Sequence, residues 1–442
     1  MYHLVRSLVE IQPLSTNEYV INHVKDRLSA LKILAFSQFF PPEIGAAPKR
    51  ISEHAIYWVK SGHQVTVVSN VPHSPFGKFY SGYRNGLCQK EIIQGVEVMR
   101  VWTLASGKKN TRVHRGLSFM VYLFMSTLVG LMNKRPDIVL ASAPYLAGIP
   151  GILSSVFHRV PFIYEMRDPW VQVAATTGTI KRGGIIFRFL LAMERAIARY
   201  AKRVIVIGKE MAYYIKNEMA LSDEPKVVYN GVDKDKLALK DKRIKPIHIP
   251  GAKGNFLVGS IGNMGKQYDF DIILETAKEL LEENCFFLFV GEGNQKKRIK
   301  QKAKIMGLDN VAFYPAVPAD EVNAWIRSCN VTVVSMRPES VFKVYVPLKV
   351  LDSLVLGVPV LFGGSGEVEH ILKSCQGGGV FSSGDNRALL RLIRERMNNP
   401  EKLRTEGHSG AEFVSRTFSR EKMAYRYQLL VEKVVSEKSS KS

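Results

Sequence analysis

Short apolar runs alternate with longer amphipathic stretches along most of the chain. Each run ends in a turn or loop of glycine, proline and polar residues, which is typical of buried parallel strands connected by helices. A first series of predicted strands lies at residues 32–37, 65–69, 137–140, 162–164 and 204–207. A second series lies at residues 256–261, 285–290, 310–314, 331–335 and 358–362. The alternation predicts an α/β protein with doubly wound sheets.

The two series of strands predict two domains. A turn at residues 230–233 and a charged connector at 234–247 separate them. We expect one Rossmann-like domain over residues 32–235 and a second over 250–415. In doubly wound folds a ligand binds at the carboxyl ends of the strands, so a cleft between the facing domains is the expected site.

The two ends of the chain lie outside these domains. Residues 1–31 mix charged and apolar residues without the apolar core of a signal peptide, so we interpret them as an N-terminal extension. Residues 416–435 are predicted to form a final helix that returns to the N-terminal domain. The polar residues 436–442 are predicted to be disordered.

Composition and charge narrow the classes of function. With 442 residues, 46% of them hydrophobic, the chain has the composition of a globular protein. The 4 cysteines never occur at CxxC spacing, which fits neither a disulfide framework nor a zinc site and favours a reducing cytoplasm. A net charge of +22, mostly in the N-terminal half, favours an anionic partner or simply a basic soluble protein. Nucleic acid is disfavoured as that partner, because basic and aromatic residues do not interleave on a predicted sheet.

A glycine-rich loop at residues 262–266 provides a candidate anion site. It lies between a predicted strand and a predicted helix, where backbone N–H groups and the helix N-terminus favour a phosphate. Lys266 would add a full positive charge. The loop is not a Walker A motif, because Lys266 is followed by Gln267. A tight turn without a ligand is the structural alternative.

A second pattern follows near residue 347, where a helix with one acidic residue, Asp352, leads into Gly357-Val358-Pro359 and an apolar strand. Both patterns resemble retaining GT-B glycosyltransferases of family 4, in particular the bacterial polysaccharide branch that includes N-acetyl-fucosamine transferases of O-antigen and colanic-acid clusters. The resemblance covers roughly residues 32–430. Its further segments lie at residues 40–43, 61–67, 167–170, 230–233, 290–293, 310–314 and 347–359.

The resemblance implies a GT-B fold in which the N-terminal domain serves the acceptor and the C-terminal domain binds a nucleotide-sugar. It also implies retention of the anomeric configuration without a metal or another cofactor. The implied donor-binding residues are Gly45, Gly262, Asn263, Gly265, Lys266, Glu292, Glu339, Lys349 and Asp352. The carboxylate of Asp352 fits a ribose, because it can accept hydrogen bonds from two adjacent hydroxyls.

The chain departs from the family pattern at two positions. Val344 stands where the family has a glutamate that contacts the donor sugar, so Glu339 is the candidate substitute. Asn263 stands where the family has an arginine, which leaves Lys266 and Lys349 to bear the diphosphate charge.

On the acceptor side, Arg167 and Asp168 follow a predicted strand end. Asp168 would orient or deprotonate an acceptor hydroxyl, and Arg167 would hold its phosphate. The alternative is a structural Arg–Asp pair with Trp170 packed beneath it. We predict catalytic roles for Asp168 and for Lys266, the latter by stabilising charge on the departing diphosphate.

Basic residues, Arg112 and Arg115 among them, precede an apolar run that ends near Met132. The run is shorter than the about 20 residues of a transmembrane helix, so it is either a core helix or a helix in the bilayer interface. A second basic and apolar helix is predicted near residues 181–203. Together they predict a cytoplasmic protein, peripheral on the anionic inner face of the membrane, with a polyprenyl-diphosphate-linked saccharide as acceptor.

Two other enzyme classes share features with this sequence. A GT-B sugar-nucleotide epimerase shares the donor site but needs acid and base carboxylates and no lipid. A metal-dependent GT-A enzyme is suggested by Asp-x-Asp sequences at Asp233 and Asp269. The first lies in the predicted connector and the second at a helix start, where carboxylates suit the helix dipole.

Overall fold

The computed structural model describes residues 30–74, 77–105, 112–142, 145–233, 247, 249–318 and 321–439. The predicted N-terminal extension therefore lies outside the described residues, apart from Ala30 and Leu31.

The N-terminal half forms one sheet with helices on both faces. Its elements are, in order, β1 (Lys32–Phe36), α1 (Ala46–Lys60), β2 (Gln64–Asn70), β3 (Cys88–Ile93), β4 (Val96–Val101), α2 (Arg112–Met132), β5 (Ile138–Ser142), α3 (Gly148–His158), β6 (Phe162–Glu165), α4 (Trp170–Thr176), α5 (Ile185–Tyr200), β7 (Arg203–Val206), α6 (Lys209–Met219) and β8 (Lys226–Val227). The strand order is β3-β4-β2-β1-β5-β6-β7-β8, with β3 antiparallel to β4. Strands β5 and β6 are buried along their whole length, which explains their unbroken apolar sequence.

The C-terminal half repeats the architecture. Its elements are β9 (Phe256–Ile261), α7 (Asp271–Glu279), β10 (Cys285–Val290), α8 (Lys296–Ile305), β11 (Val311–Tyr314), α9 (Val322–Arg327), β12 (Val331–Ser335), α10 (Leu348–Val355), β13 (Val360–Gly363), α11 (Glu367–Cys375), β14 (Gly378–Phe381), α12 (Asn386–Met397), α13 (Pro400–Thr417) and α14 (Arg420–Ser439). The strand order is β11-β10-β9-β12-β13-β14, all parallel. The predicted fold class, two doubly wound α/β halves, is confirmed.

The last helix, α14, packs on α1 of the N-terminal domain. The indole Nε1 of Trp58 donates a hydrogen bond to the carbonyl of Ala424 (3.3 Å). The ring of Tyr427 stands almost perpendicular to that indole, with 5.1 Å between the ring centroids. The helix continues to Ser439, so the prediction of disorder is wrong for residues 436–439.

A buried ion pair ties helix α1 to the end of β6. Arg50 is 4% exposed, and its Nε donates to Oε1 of Glu165 at 2.8 Å. The same guanidinium donates to the carbonyls of Val228 (2.8 Å) and Tyr229 (2.7 Å), where the chain leaves the N-terminal sheet. Burial alone would raise the pKa of Glu165, but Arg50 and further neighbours, including the Ser142 hydroxyl, outweigh burial and lower it to about 2.

We predict that Arg50→Met destabilises the protein by about 3–5 kcal/mol, because it leaves Glu165 buried without its cation. The midpoint of urea unfolding, followed by circular dichroism, measures the loss. In the wild type this contribution is present above the ordinary pKa of 4.5 and disappears as the pH falls toward about 2, because the folded-state pKa is lowered. Arg394→Met is the matched control, since it removes an exposed ion pair with Glu283. An equal midpoint for both variants would contradict the central role of Arg50.

Candidate functional site

Two glycine-containing loops pack together at the carboxyl ends of β9 and β10. A Cβ atom on Gly291 would lie 2.1 Å from the carbonyl oxygen of Gly262, and one on Gly293 would lie 2.3 Å from that of Met264. Such distances exclude any side chain. Gly262 itself has φ of +115°, a backbone conformation that favours glycine. The motif at residues 290–293 therefore packs tightly against the backbone of the candidate anion loop.

The ammonium of Lys349, in the first turn of α10, lies against this loop. Its Nζ donates to the carbonyl of Asn263 at 3.3 Å and lies 4.0 Å from the ring centroid of Tyr268. Lys349 is half-buried, and burial lowers its pKa to about 7. Within the described residues no carboxylate pairs with this ammonium. A desolvated cation without a counter-ion favours an anionic ligand here.

Asp352 lies three residues after Lys349 and lines a small cavity between the two domains. The cavity measures about 30 Å³ and is also lined by Ala46, Lys49, Arg50, Glu53, His54, Asn230, Gly231, Leu348 and Arg420. This volume suits about one water molecule, whereas small-molecule sites usually exceed about 300 Å³. Asp352 therefore lies where the two domains meet, beside a space that is much smaller than a usual ligand site.

The N-terminus of α1 faces α10 across this cavity. Gly45 is the residue before the helix, is exposed, and has φ of +151°. Lys49, in the first turn, was not identified from the sequence, although it lines the same cavity as Asp352. The preceding loop is held by buried Glu43, whose carboxylate accepts the backbone N–H groups of its neighbours. A helix N-terminus and a lysine both favour an anion at this place.

Asp168 lies close to the segment that leads into α10. It follows β6, is exposed, and its carboxylate interacts with the hydroxyl of Tyr345. The protein surrounding the carboxylate removes water from it and so raises its pKa, while Arg167 and Tyr345 oppose that rise. Arg167 is buried close to Glu165 and Arg50 rather than presented to the cleft. Of this pair, the structure exposes only Asp168.

Three further candidate side chains contact protein groups. Nζ of Lys266 donates to the carbonyl of Thr177 (3.1 Å) and so crosses from the C-terminal to the N-terminal domain. Glu292 pairs with Lys296 at the start of α8. Glu339 pairs with Arg337 through one oxygen, and its other oxygen is buried without a hydrogen-bond partner.

Val344, the departure from the family pattern, is a core residue of the N-terminal domain. It is 3% exposed and packs among apolar residues of the N-terminal domain such as Val171. A glutamate there would place a carboxylate in an apolar core, which is costly without a partner. Neighbouring Tyr345 contacts Asp168, a role that its position in an apolar stretch did not reveal.

The side chains of Arg112 and Arg115 lie outside the described residues, although their backbone begins α2. Among the described helices, none combines the length and the apolar character needed to cross a bilayer. Among the described residues, His, Cys, Asp and Glu side chains form no group of three or more that is suited to a metal ion.

The fold of the two halves is shared with a known type of enzyme. Solved glycosyltransferase structures of the GT-B type share this fold. Sucrose-phosphate synthase from Thermosynechococcus elongatus gives a TM-score of 0.73 at 15% identity, covering 92% of this chain and 99% of that one. Anabaena HepE in complex with UDP-glucose gives 0.65 at 16%, covering 93% and 100%. WaaG, a glycosyltransferase involved in lipopolysaccharide biosynthesis, gives 0.62 at 14%, covering 89% and 98%.

Sequence comparison then identifies the domains. Residues 45–231 match the family described as Glycosyl transferase 4-like domain, and residues 242–411 match Glycosyl transferases group 1. The chain is therefore a glycosyltransferase. The probable glycosyltransferase WbjE of Pseudomonas aeruginosa is 25% identical over 300 residues, covering 65% of this chain and 73% of the relative. WcaI of Escherichia coli K12, named for colanic acid biosynthesis, is 24% identical over 348 residues, covering 74% and 82%. These matches favour a glycosyltransferase over the epimerase considered above.

Proposed function

We propose that this glycosyltransferase moves a hexosyl or N-acetylhexosaminyl group from a nucleotide-diphosphate donor, with retention of configuration, to a lipid-linked saccharide during synthesis of a cell-surface polysaccharide. The observation that carries the proposal is the half-buried ammonium of Lys349 beside the glycine loop, without a carboxylate partner among the described residues. The UDP-glucose bound to HepE and the name of WcaI support the donor class and the pathway.

In this mechanism the diphosphate lies between the loop at residues 262–266 and the N-terminus of α1. Lys349 and Lys266 face the charge that develops on the terminal phosphate as the sugar–oxygen bond breaks, and that charge is stabilised without a metal. Lys266 must first exchange its contact with the Thr177 carbonyl for the phosphate. Asp352 accepts hydrogen bonds from the ribose hydroxyls, and Glu339 is the nearest candidate for the sugar.

The acceptor hydroxyl approaches from the N-terminal domain. Asp168 orients it and shares its proton, while the leaving diphosphate, held against the same face of the sugar, accepts that proton as transfer proceeds. The sugar–oxygen bond to the diphosphate breaks and a bond to the acceptor oxygen forms on the same face, so configuration is retained.

The first test of this function is transfer itself. Wild-type protein is incubated with a panel of nucleotide-sugars and a membrane extract containing lipid-linked saccharides, and release of nucleoside diphosphate is measured. We expect release that depends on the extract, and a fall of at least about 100-fold in Asp352→Ala because two ribose hydrogen bonds are lost. Asp309→Ala, at an exposed position of the same domain, is the matched control. Full activity of Asp352→Ala would refute the donor-site assignment, and release without acceptor would favour an epimerase-like or hydrolytic reaction.

A second prediction concerns pH. The pKa of Lys349 is about 7, so its ammonium is present below that pH and is lost above it. We expect affinity for the preferred nucleoside diphosphate to fall as the pH rises from about 6.5 to about 8.5, because only the charged form attracts the diphosphate. Isothermal titration calorimetry measures the affinity. Lys349→Met should bind more weakly and show little change over this range. A parallel decline in both proteins would exclude Lys349 as the titrating group.

The helices that cover one face of the N-terminal sheet expose an apolar surface. On α2 the exposed side chains follow one helix face, and they continue on the neighbouring helices α3 and α5. This apolar face comprises Leu117, Met120, Phe124, Leu128, Met132, Leu153, Val156, Phe157, Ile185, Ile186 and Phe189. Helix α2 packs on α3, and α3 on α5, so the residues form neighbouring strips rather than isolated positions. Large exposed apolar surfaces mark sites of association.

Basic residues border the apolar face, which gives it the character of a membrane-binding surface. Lys134 and Arg135 follow α2, and Lys181, Arg182 and Arg188 lie around the start of α5; all five are exposed. Apolar side chains that enter the bilayer interface and lysine or arginine that bind anionic headgroups act together in peripheral proteins. Helix α4, which begins two residues after Asp168, packs on α5. Docking through this face would therefore bring a lipid-linked acceptor toward the catalytic cleft.

We predict that the wild type sediments with vesicles containing phosphatidylglycerol at low salt and much less with pure phosphatidylcholine. The double variant Ile186→Glu/Phe189→Glu should lose most of that binding, because two carboxylates replace apolar contacts and repel the anionic surface. Ile305→Glu, at an exposed position of the C-terminal domain, is the matched control. Equal binding by the double variant and the wild type would contradict the proposed membrane face.

A further inference from the structure

The ring of Tyr268 lies against the ammonium of Lys349. The Nζ atom is 4.0 Å from the ring centroid, well inside the range of a cation–π contact. From this place the same Nζ reaches the carbonyl of Asn263 at 3.3 Å. The lysine's Cε would be 3.4 Å from a Cβ placed on Gly262, so the side chain lies directly over the loop.

Tyr268 is held firmly, whereas Lys349 has a flexible stem. The N–H of Tyr268 donates to the carbonyl of Gly265 (3.3 Å), and Tyr268 forms an isolated antiparallel bridge with Met336 at the end of β12. Its ring also packs near that of Phe270, with 5.9 Å between centroids. The ring is thus a fixed platform joined to the loop itself, and it can restrict the lysine to one direction.

An aromatic face holds this lysine in place without neutralising its charge, which a carboxylate could not do. The ring attracts the ammonium through its quadrupole and leaves the full positive charge unneutralised. A carboxylate at the same place would hold the lysine equally well but would repel an incoming diphosphate. Burial also raises the pKa of the Tyr268 hydroxyl, so the side chain adds no negative charge near neutral pH.

We propose that Tyr268 is a positioning residue for the donor, holding the Lys349 ammonium over the 262–266 loop where it meets the diphosphate. The inference rests on the proposed donor site and deepens it. Tyr268 acts through Lys349, so its effect on donor binding requires the lysine.

A double-mutant cycle tests this dependence. The wild type is first titrated calorimetrically with UDP, GDP, ADP and dTDP to find the nucleotide that binds. Tyr268→Leu removes the aromatic face, and we expect affinity to fall on the order of tenfold. Tyr268→Phe keeps the face and should stay within about twofold of the wild type. In a Lys349→Met background, Tyr268→Leu should cause no further loss.

The outcomes separate the two proposals. If the wild type binds none of the four nucleotides, the donor site itself fails. If the wild type binds but Tyr268→Leu binds equally well, only the role of Tyr268 fails. A loss that persists in the Lys349→Met background identifies a merely structural effect and also overturns the inference. Thermal unfolding of each variant is measured in parallel, and Tyr268→Met replaces Tyr268→Leu in the cycle if the leucine variant does not fold.

Discussion

The guanidinium of Arg50 is the contact on which the geometry of the cleft depends. It joins helix α1 to Glu165 at the end of β6 and to the carbonyls of Val228 and Tyr229 at the exit from the N-terminal sheet. Three parts of the cleft wall are therefore set by one side chain. Arginine suits this position because its planar fork supplies several fixed donors, whereas a lysine would supply a point charge. The pair is buried, so its removal would cost more than a surface ion pair.

A few exchangeable hydrogen bonds join the two domains across the cleft. The Tyr229 hydroxyl and the N–H of Glu210 donate to the two oxygens of Glu367, at 2.6 and 2.7 Å. Lys266 donates to the carbonyl of Thr177 in the N-terminal domain. In the proposed mechanism Lys266 exchanges its contact with Thr177 for the phosphate, so this contact opens on binding. Lys266 is suited to this exchange, because its ammonium loses only one neutral acceptor and gains a charged one.

Periodicity along the sequence predicted the parallel strands because both of their faces are buried and their sequences are continuously apolar. The hairpin β3–β4 was not predicted. Strand β3 lies at the edge of the sheet and alternates between exposed and half-buried positions, so it lacks a continuous apolar run. The glycine loop was predicted from a local motif, and Lys349 was implied by the family resemblance. Arg50 and Glu165 are 115 residues apart, and only the folded topology brings them together. Tyr268 was missed for a similar reason, because it lies in a loop and its partner, Lys349, lies on the distant helix α10.

Val344 shows how a departure from a family pattern can carry information. The segment before α10 reaches into the N-terminal domain, where Val344 is buried and Tyr345 contacts Asp168. The same segment leads directly into the helix that carries Lys349 and Asp352. Because Val344 is buried in the N-terminal domain, this segment anchors the start of α10 to that domain. A glutamate at position 344 would place a carboxylate in this packing, which is costly without a partner, whereas valine keeps the junction apolar and close-packed.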